Sequence, residues 1–163
     1  MILQFKRDSY KWGDRFYIYN NENQRVYKVT NSILLWKRKF EIKDLDGNVL
    51  ITIKNEPKSL VKKKFYIEVP GHETVAITRE ISLIPKYTFE GLDWTMNGLM
   101  LHEYDMIDPT GLTRLSLHEE STPFGHRPVL NIPYDTDALL ALGVALTISY
   151  VIPAEDGGST SYV

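Results

Sequence analysis

Apolar and polar positions alternate along most of the chain, and short clusters of turn residues interrupt the alternation. Phe16-Tyr17-Ile18-Tyr19 and Val26-Tyr27-Lys28-Val29 flank Asn20-Asn21-Glu22-Asn23, and Phe40-Glu41-Ile42-Lys43 and Val49-Leu50-Ile51-Thr52-Ile53 flank Asp44-Leu45-Asp46-Gly47-Asn48. Phe65-Tyr66-Ile67-Glu68-Val69 and Val75-Ala76-Ile77-Thr78 flank Pro70-Gly71-His72, and a looser copy places Tyr104-Asp105-Met106-Ile107 and Leu112-Thr113-Arg114-Leu115-Ser116-Leu117 around Asp108-Pro109-Thr110-Gly111. A period of two sends successive side chains to opposite faces of a strand, and Asn, Asp, Gly and Pro between two such runs close a hairpin. Four antiparallel hairpins are predicted. The first three begin at Phe16, Phe40 and Phe65, so the unit recurs every 24 to 25 residues as an internal repeat.

The connectors between hairpins also resemble one another. Ser32-Ile33-Leu34-Leu35-Trp36-Lys37-Arg38-Lys39, Ser59-Leu60-Val61-Lys62-Lys63-Lys64 and Ser82-Leu83-Ile84-Pro85-Lys86 each set an apolar pair beside a cationic end. Strands leaving the core for solvent carry such ends, with Lys stems on apolar surface and the charged heads in water.

Residues 136–152 break the alternation. Thr136-Asp137 forms a candidate N-cap pair, the next fifteen residues from Ala138 carry no charge, and Pro153 is expected to stop the helix. A helix apolar on every side must be buried on every side. At ~1.5 Å per residue those fifteen residues span ~22 Å, short of the ~30 Å hydrocarbon core of a bilayer. Burial inside a barrel of the upstream hairpins is therefore favoured over the competing reading, a membrane anchor. Closure of that barrel is expected too, because it removes exposed strand edges. The expected domain covers residues 1–153, with 154–163 a flexible tail.

Composition narrows the chemistry. A chain of 163 residues with 43% hydrophobic and 25% charged content suits one soluble globular core. Cys is absent, which removes disulfides, thiolate metal sites and a Cys nucleophile. Met1 to Arg7 reaches charge after five residues and has no sustained apolar stretch, so no secretory signal is read there and cytoplasmic residence is the expectation. Net charge is −2 overall but lopsided: residues 25–64 hold eleven Lys or Arg against four acids, whereas residues 90–156 hold two Arg against eleven acids. If these segments form different walls, the molecule is a dipole that can steer an anionic partner or assemble head to tail.

With the repeat and the terminal helix in view, the chain resembles the LURP-one-related group of the tubby C-terminal-like superfamily, in particular its small bacterial YxjI-type members. The resemblance is carried by Tyr10-Lys11-Trp12-Gly13-Asp14-Arg15-Phe16-Tyr17-Ile18-Tyr19, Leu45-Asp46-Gly47-Asn48-Val49, Pro85-Lys86-Tyr87-Thr88-Phe89-Glu90-Gly91-Leu92-Asp93-Trp94 and Asp137-Ala138-Leu139-Leu140-Ala141-Leu142. It implies a twelve-stranded antiparallel barrel around a central hydrophobic helix. It also raises phosphoinositide binding, because tubby domains hold such a headgroup with basic side chains. No tubby headgroup motif matches here residue by residue. Phospholipid scramblases share the fold, and a scramblase-like, membrane-associated protein is a further alternative.

The candidate contact residues for an anionic headgroup are Lys37, Arg38, Lys39, Lys58, Lys62, Lys63, Lys64 and Lys86, with Trp36 and Phe65 beside them. Each Lys near an anionic membrane contributes ~1 kcal/mol, so four or five suffice for reversible binding without a pocket. Against concentration in space, Lys62 to Lys64 alternate along a strand and face two sides. Lys64-Phe65-Tyr66 also suits single-stranded nucleic acid, but a chain with a sequence pI near 6.1 is not expected to bind it. For metals, His118, Glu120 and His102 converge only if their strands pair in a favourable register, and none of the four His has a helically spaced partner. No nucleophile elbow, phosphate loop or dinucleotide fingerprint occurs. Gly98, Gly111 and Gly125 read as turn glycines, residues 9–13 and 122–126 as loops, and Asp14, Asp93 and Asp105 as single acids. The expectation is a non-enzymatic binding or scaffolding domain without cofactor. Its partner is expected to be an anionic phospholipid surface or a protein, including a second copy held by charge complementarity.

Overall fold

The computed structural model describes residues 1–5, 15–34, 37–56, 62–80, 86–100 and 103–155. Its strands are β1 (Ile2–Phe5), β2 (Arg15–Asn20), β3 (Arg25–Leu34), β4 (Lys37–Lys43), β5 (Val49–Glu56), β6 (Lys62–Glu68), β7 (Val75–Glu80), β8 (Lys86–Glu90), β9 (Thr95–Met100), β10 (Glu103–Ile107), β11 (Thr113–Thr122) and β12 (Gly125–Asn131). All twelve join one antiparallel sheet in the order β8-β7-β6-β5-β4-β3-β2-β1-β12-β11-β10-β9. The four predicted hairpins are β2–β3, β4–β5, β6–β7 and β10–β11.

The alternation that marked the strands also sorts their faces. β4 and β6 share one burial sequence, with Phe40 and Ile42 in the first and Phe65 and Ile67 in the second turned into the core. Across the ladders Phe40 opposes Ile53, Phe65 opposes Ile77, Met106 opposes Leu115 and Leu117 opposes Leu130. These residues build a continuous inner wall. Opposed apolar pairs on one face are the unit that stabilises a sheet and pins its register.

Turn chemistry sets the hairpin ends. The Asn20 side chain accepts the backbone N–H of Glu22 and Gln24, and Asp44 accepts that of Asn48 beside Gly47 at φ 96. Asp108 accepts the N–H of Thr110 and Leu112 and the Thr110 hydroxyl, and it pairs with Arg114 at 2.7 Å. Those hydrogen bonds, Thr110's foremost, outweigh the cost of desolvation and hold the Asp108 carboxyl down at about 2. A carboxylate whose folded value lies below the ordinary ~3.9 stabilises the fold above about pH 4, and the contribution fades as pH falls from there toward 2. Urea midpoints should show Asp108→Asn less stable than wild type at pH 7. At pH 2.5 the gap should be much smaller, and an equal gap at both pH values would deny Asp108 this role.

The helical segment lies inside the curled sheet. A short 3₁₀ turn, Asp135–Asp137, leads into α1 (Ala138–Leu146), a π-helical stretch follows over Thr147–Val151, and α2 (Ile152–Glu155) ends the described chain. Eight of the nine α1 residues are buried. Two details depart from the sequence reading. Thr136 and Asp137 make no side-chain cap; the Asp137 carboxylate instead lies 3.3 Å from Arg114. Pro153 does not stop the helix, and residues 154 and 155 belong to its last turn rather than to a tail. In the π stretch Ile152 N–H donates to the Thr147 carbonyl, five residues back. That shift of register leaves a carbonyl without a helical donor, and the missing N–H of proline can then be tolerated. Residues 156–163 lie outside the described residues.

Closure is not made by hydrogen bonds. The sheet begins at β8 and ends at β9, and no ladder joins those two strands among the described residues. They are consecutive in the chain, joined by residues 91–94, where Trp94 turns into the core and is 8% exposed. Gly98 is likewise not a turn residue. It lies within β9 at φ 124, where a Cβ would meet the backbone of Glu103 and Tyr104 at 2.6 and 2.9 Å, beside the register shift between β9 and β10.

Candidate anion-binding rim

In an antiparallel sheet the first residues of every second strand lie at the same end. β4, β6 and β8 begin at Lys37, Lys62 and Lys86, so the three cationic connectors, 24 to 25 residues apart in sequence, meet at one rim. β5 and β7 end there too, adding Glu56 and the pair Arg79 and Glu80. Within three residues of the strand ends, β4 to β8 carry Lys37, Arg38, Lys39, Lys54, Lys62, Lys63, Lys64, Arg79 and Lys86 at this rim against Glu56 and Glu80, nine cations against two acids among the described residues. Lys58 and Trp36 lie outside the described residues.

The cations share the rim but not one face. Lys37 and Lys62 are exposed, and Lys39 and Lys64 share the outer face with them. Arg38 is in phase with the buried Phe40 and Ile42, Lys63 with Phe65 and Ile67, and Arg79 with Val75 and Ile77, so these three belong to the inner face. Lys63 stands directly opposite Arg79, and Arg79 opposite Tyr87. Burial raises the Tyr87 and Tyr150 hydroxyl pKa values, with Arg79 and Arg38 respectively pulling the other way. The backbone N–H of Arg38 donates to the Asn55 side chain across the sheet. Phe65, grouped in sequence with the contact residues, is a core residue at 1% exposure. The reason is parity: it lies one position past Lys64 and so on the other face.

Acids temper the outer wall. Glu41 bridges Lys39 and Lys43 at 2.8 and 3.0 Å, Lys54 meets Glu68 at 3.0 Å, Lys62 meets Glu80 at 3.0 Å and Lys64 meets Glu90 at 2.9 Å. These contacts lower the Glu41 and Glu80 carboxyls and raise the Lys64 ammonium. Such exposed pairs contribute little to stability, ~0–1 kcal/mol each, but they dilute the local potential. The excess that survives sits at the rim, where Lys37 has no carboxylate partner among the described residues.

The opposite end has the other sign. Its turns carry Glu22, Asp44, Asp46, Glu73, Asp93, Asp108, Asp135 and Asp137, with Arg25, Lys43 and Arg114 at the adjoining strand ends. The helix starts there and runs toward the basic rim, so its partially positive N-terminus faces the acids and its partially negative C-terminus the cations. The two segments of opposite charge do occupy different walls, β3–β6 and β9–β12.

The LURP-one-related family profile matches residues 1–149. The chain belongs to the LURP-one-related family. It is 24% identical over 152 residues to the uncharacterized protein YxjI of Bacillus subtilis (strain 168), covering 92% of this chain and 93% of that one. An X-ray structure of a protein from Arabidopsis thaliana shares the fold with a TM-score of 0.57 at 14% identity, covering 89% of this chain and 86% of that one. The twelve strands and single helical segment are thus those of a LURP-one-related domain.

Other candidate chemistry is placed differently. His118 Nε2 lies 3.9 Å from Glu120, and His126 Nδ1 lies 4.0 Å from Glu119, but among the described residues no three His, Asp or Glu are grouped as metal ligands; His102 lies outside them. Asp105 is not a lone acid, because Ser116 donates its hydroxyl to it. Asp14 and residues 9–13 lie outside the described residues. Sequence reasoning missed Arg79, whose only signal was its place three residues into a strand end that returns to the Lys62 connector. Phe124 does lie in the loop expected there, at the β11–β12 turn, but its 96% exposure carried no signal in the sequence.

Proposed function

We propose that this LURP-one-related domain is a non-enzymatic module that binds anionic phospholipid headgroups reversibly, as a peripheral protein on the cytoplasmic side, through its basic rim. One observation carries the reading: strand connectors distant in sequence bring nine cations to the β4–β8 part of one end of the sheet, against two acids there. At ~1 kcal/mol per cation near an anionic surface, four or five engaged side chains give useful affinity without a pocket. Among the described residues no helix is long and apolar enough to cross a membrane, and α1 is buried against the sheet, so surface contact suits the rim better than spanning suits the helix.

Sedimentation with vesicles tests it. Wild type should pellet with vesicles containing anionic phospholipid, pellet less as salt rises, and stay in solution with purely zwitterionic vesicles. Reversal of Lys37, Arg38, Lys62 and Lys63 to Glu should abolish pelleting. Because Arg38 and Lys63 belong to the inner face, a second variant reverses only Lys37, Lys62 and Lys86, all exposed, and should lose binding while keeping the wild-type circular dichroism. Absent or salt-independent pelleting, or full binding by the second variant, would remove the idea. The same experiment without vesicles addresses a second reading, favoured by the acidic opposite end: head-to-tail association through charge complementarity, which predicts larger particles at low salt that dissociate as salt rises.

A further inference from the structure

We infer that Phe124 is a membrane-inserting tip, a single aromatic side chain on the β11–β12 hairpin that enters the acyl boundary of the same anionic surface the rim contacts. The inference rests on the lipid reading of the rim and adds an apolar contact to it. Phe124 is 96% exposed, the most exposed large apolar residue among those described. Isolated exposed apolar residues are ordinary, so exposure alone decides nothing. Position, presentation and charge decide it together.

Position comes from topology. β11 runs toward the basic end and β12 leaves it, so their turn lies at the end where β4, β6 and β8 begin. Tyr104 opposes Leu117, which sets Glu103, the first residue of β10, level with His118. The β11–β12 ladder continues to Thr122 opposite Gly125. The hairpin therefore runs four residues past the start of β10, ~13 Å at the usual strand rise. Ile33, 63% exposed near the end of β3, lies at the same end.

Presentation comes from the turn itself. The Thr122 hydroxyl donates to the Gly125 carbonyl at 2.7 Å and accepts the Phe124 N–H at 3.3 Å, and Gly125 takes φ 118 to close the tip. These local bonds tie down the backbone on both sides of Phe124, so its ring is held outward at little further ordering cost on insertion.

Charge selects the end. Leu45 and Leu112 are also exposed, at 60% and 44%, but they lie at the opposite, acidic end, with Asp44 and Asp46 flanking Leu45 in its turn. On the hairpin stem Glu120 is paired with Arg127 at 2.9 Å, and Glu119 lies beside His126. The stem keeps Glu119 and Glu120 against Arg127, an excess of one acid, but its tip residues 121–125 carry no charge and it lies at the same end of the sheet as the basic rim. A lipid surface is the occupant that meets both an outward aromatic tip and a ring of cations, because interfacial binding adds buried apolar area to headgroup attraction.

Phe124→Trp and Phe124→Ala test the inference, and neither residue change touches the core. In vesicles of mixed anionic and zwitterionic phospholipid, Phe124→Trp should show a blue-shifted emission component absent from wild type, quenched by lipids brominated on their acyl chains. Phe124→Ala should bind those vesicles on the order of tenfold more weakly, with most of the loss in the part that survives high salt. If wild type binds but the introduced Trp is not quenched and Phe124→Ala binds as wild type does, the tip is overturned and the rim reading stands. If wild type does not bind vesicles at all, both are overturned. Phe124→Ala losing binding to a protein partner while vesicle binding is unchanged would overturn the lipid assignment in favour of a protein contact.

Discussion

Leu142→Asp should leave the domain unfolded. Leu142 is 1% exposed near the middle of α1, where every residue but Leu139 is buried. An aspartate there places an unpaired charge among Ile, Val and Leu with no described cation to meet it. The effective penalty for such an ion is several kcal/mol even after relaxation. A domain of this size has only ~5–15 kcal/mol of total stability, so one such charge consumes most of it. Ala145→Asp, at 1% exposure on the next turn, should behave alike. Circular dichroism melts and limited proteolysis check both. A variant that stays soluble, protease-resistant and cooperatively folded would overturn the buried-helix architecture and revive the scramblase-like membrane alternative.

Gly143→Leu should destabilise by several kcal/mol for a different reason. At Gly143 a Cβ would lie 2.9 Å from Cγ2 of Ile67 and 3.2 Å from Cγ2 of Ile51. These methyls belong to β-branched side chains at 0% exposure, which are stiff at χ1 and packed on all sides. The helix thus touches β5 and β6 by backbone, and the glycine is the space that permits it. Gly143→Ala separates two effects of opposite sign. Relief of glycine's helical penalty favours the variant by up to ~1 kcal/mol, whereas overpacking typically costs ~1–3 kcal/mol. The alanine variant should come out mildly destabilised and the leucine variant severely so, read as urea midpoints. Ile67→Ala should recover part of the loss in the leucine background, a coupling a double-mutant cycle would report. Additive effects would mean that the close approach does not set the cost.

The hairpins were legible because the physics that makes them is local. Period-two alternation in Phe40 to Lys43 and Val49 to Ile53, and the Asp44 and Asp108 side chains that accept their own turn's N–H groups, are properties of a few neighbouring residues. The helix was legible for the same reason, since a run without charge has no face to offer water. Its far end was misjudged: Pro153 stops an α-helix by its missing N–H, but the π stretch over Thr147–Val151 changes which N–H is needed. That stretch includes Thr147, whose hydroxyl bonds the Gly143 carbonyl at 2.7 Å, and Ser149, which hydrogen-bonds Tyr104 on β10. The first bond lies within the helix and the second depends on what surrounds it, and neither leaves a trace in the helix's own hydropathy.

The candidate site divides in the same way. Which residues are cationic, and that they recur every 24 to 25 positions, could be read directly from the chain. Their joint position could not, because a rim is made by strands that pair across long sequence separations, and the antiparallel order brings every second strand start to one end. Parity then sends Lys62 and Lys64 outward and Lys63 inward. Glu68, Glu80 and Glu90 become partners of Lys54, Lys62 and Lys64 only once the ladders bring them alongside, whereas Glu41 meets Lys39 and Lys43 on its own strand. Arg79 joined the rim and Phe124 stood clear of it by the same long-range pairing. Sequence alone determined the eight strands of the four hairpins, their turns and the need to bury the helix, through interactions among near neighbours; β1, β8, β9 and β12, the shared rim, the unlinked β8 and β9 edges and the outward tip were decided only by tertiary structure, because each depends on which distant strands lie side by side.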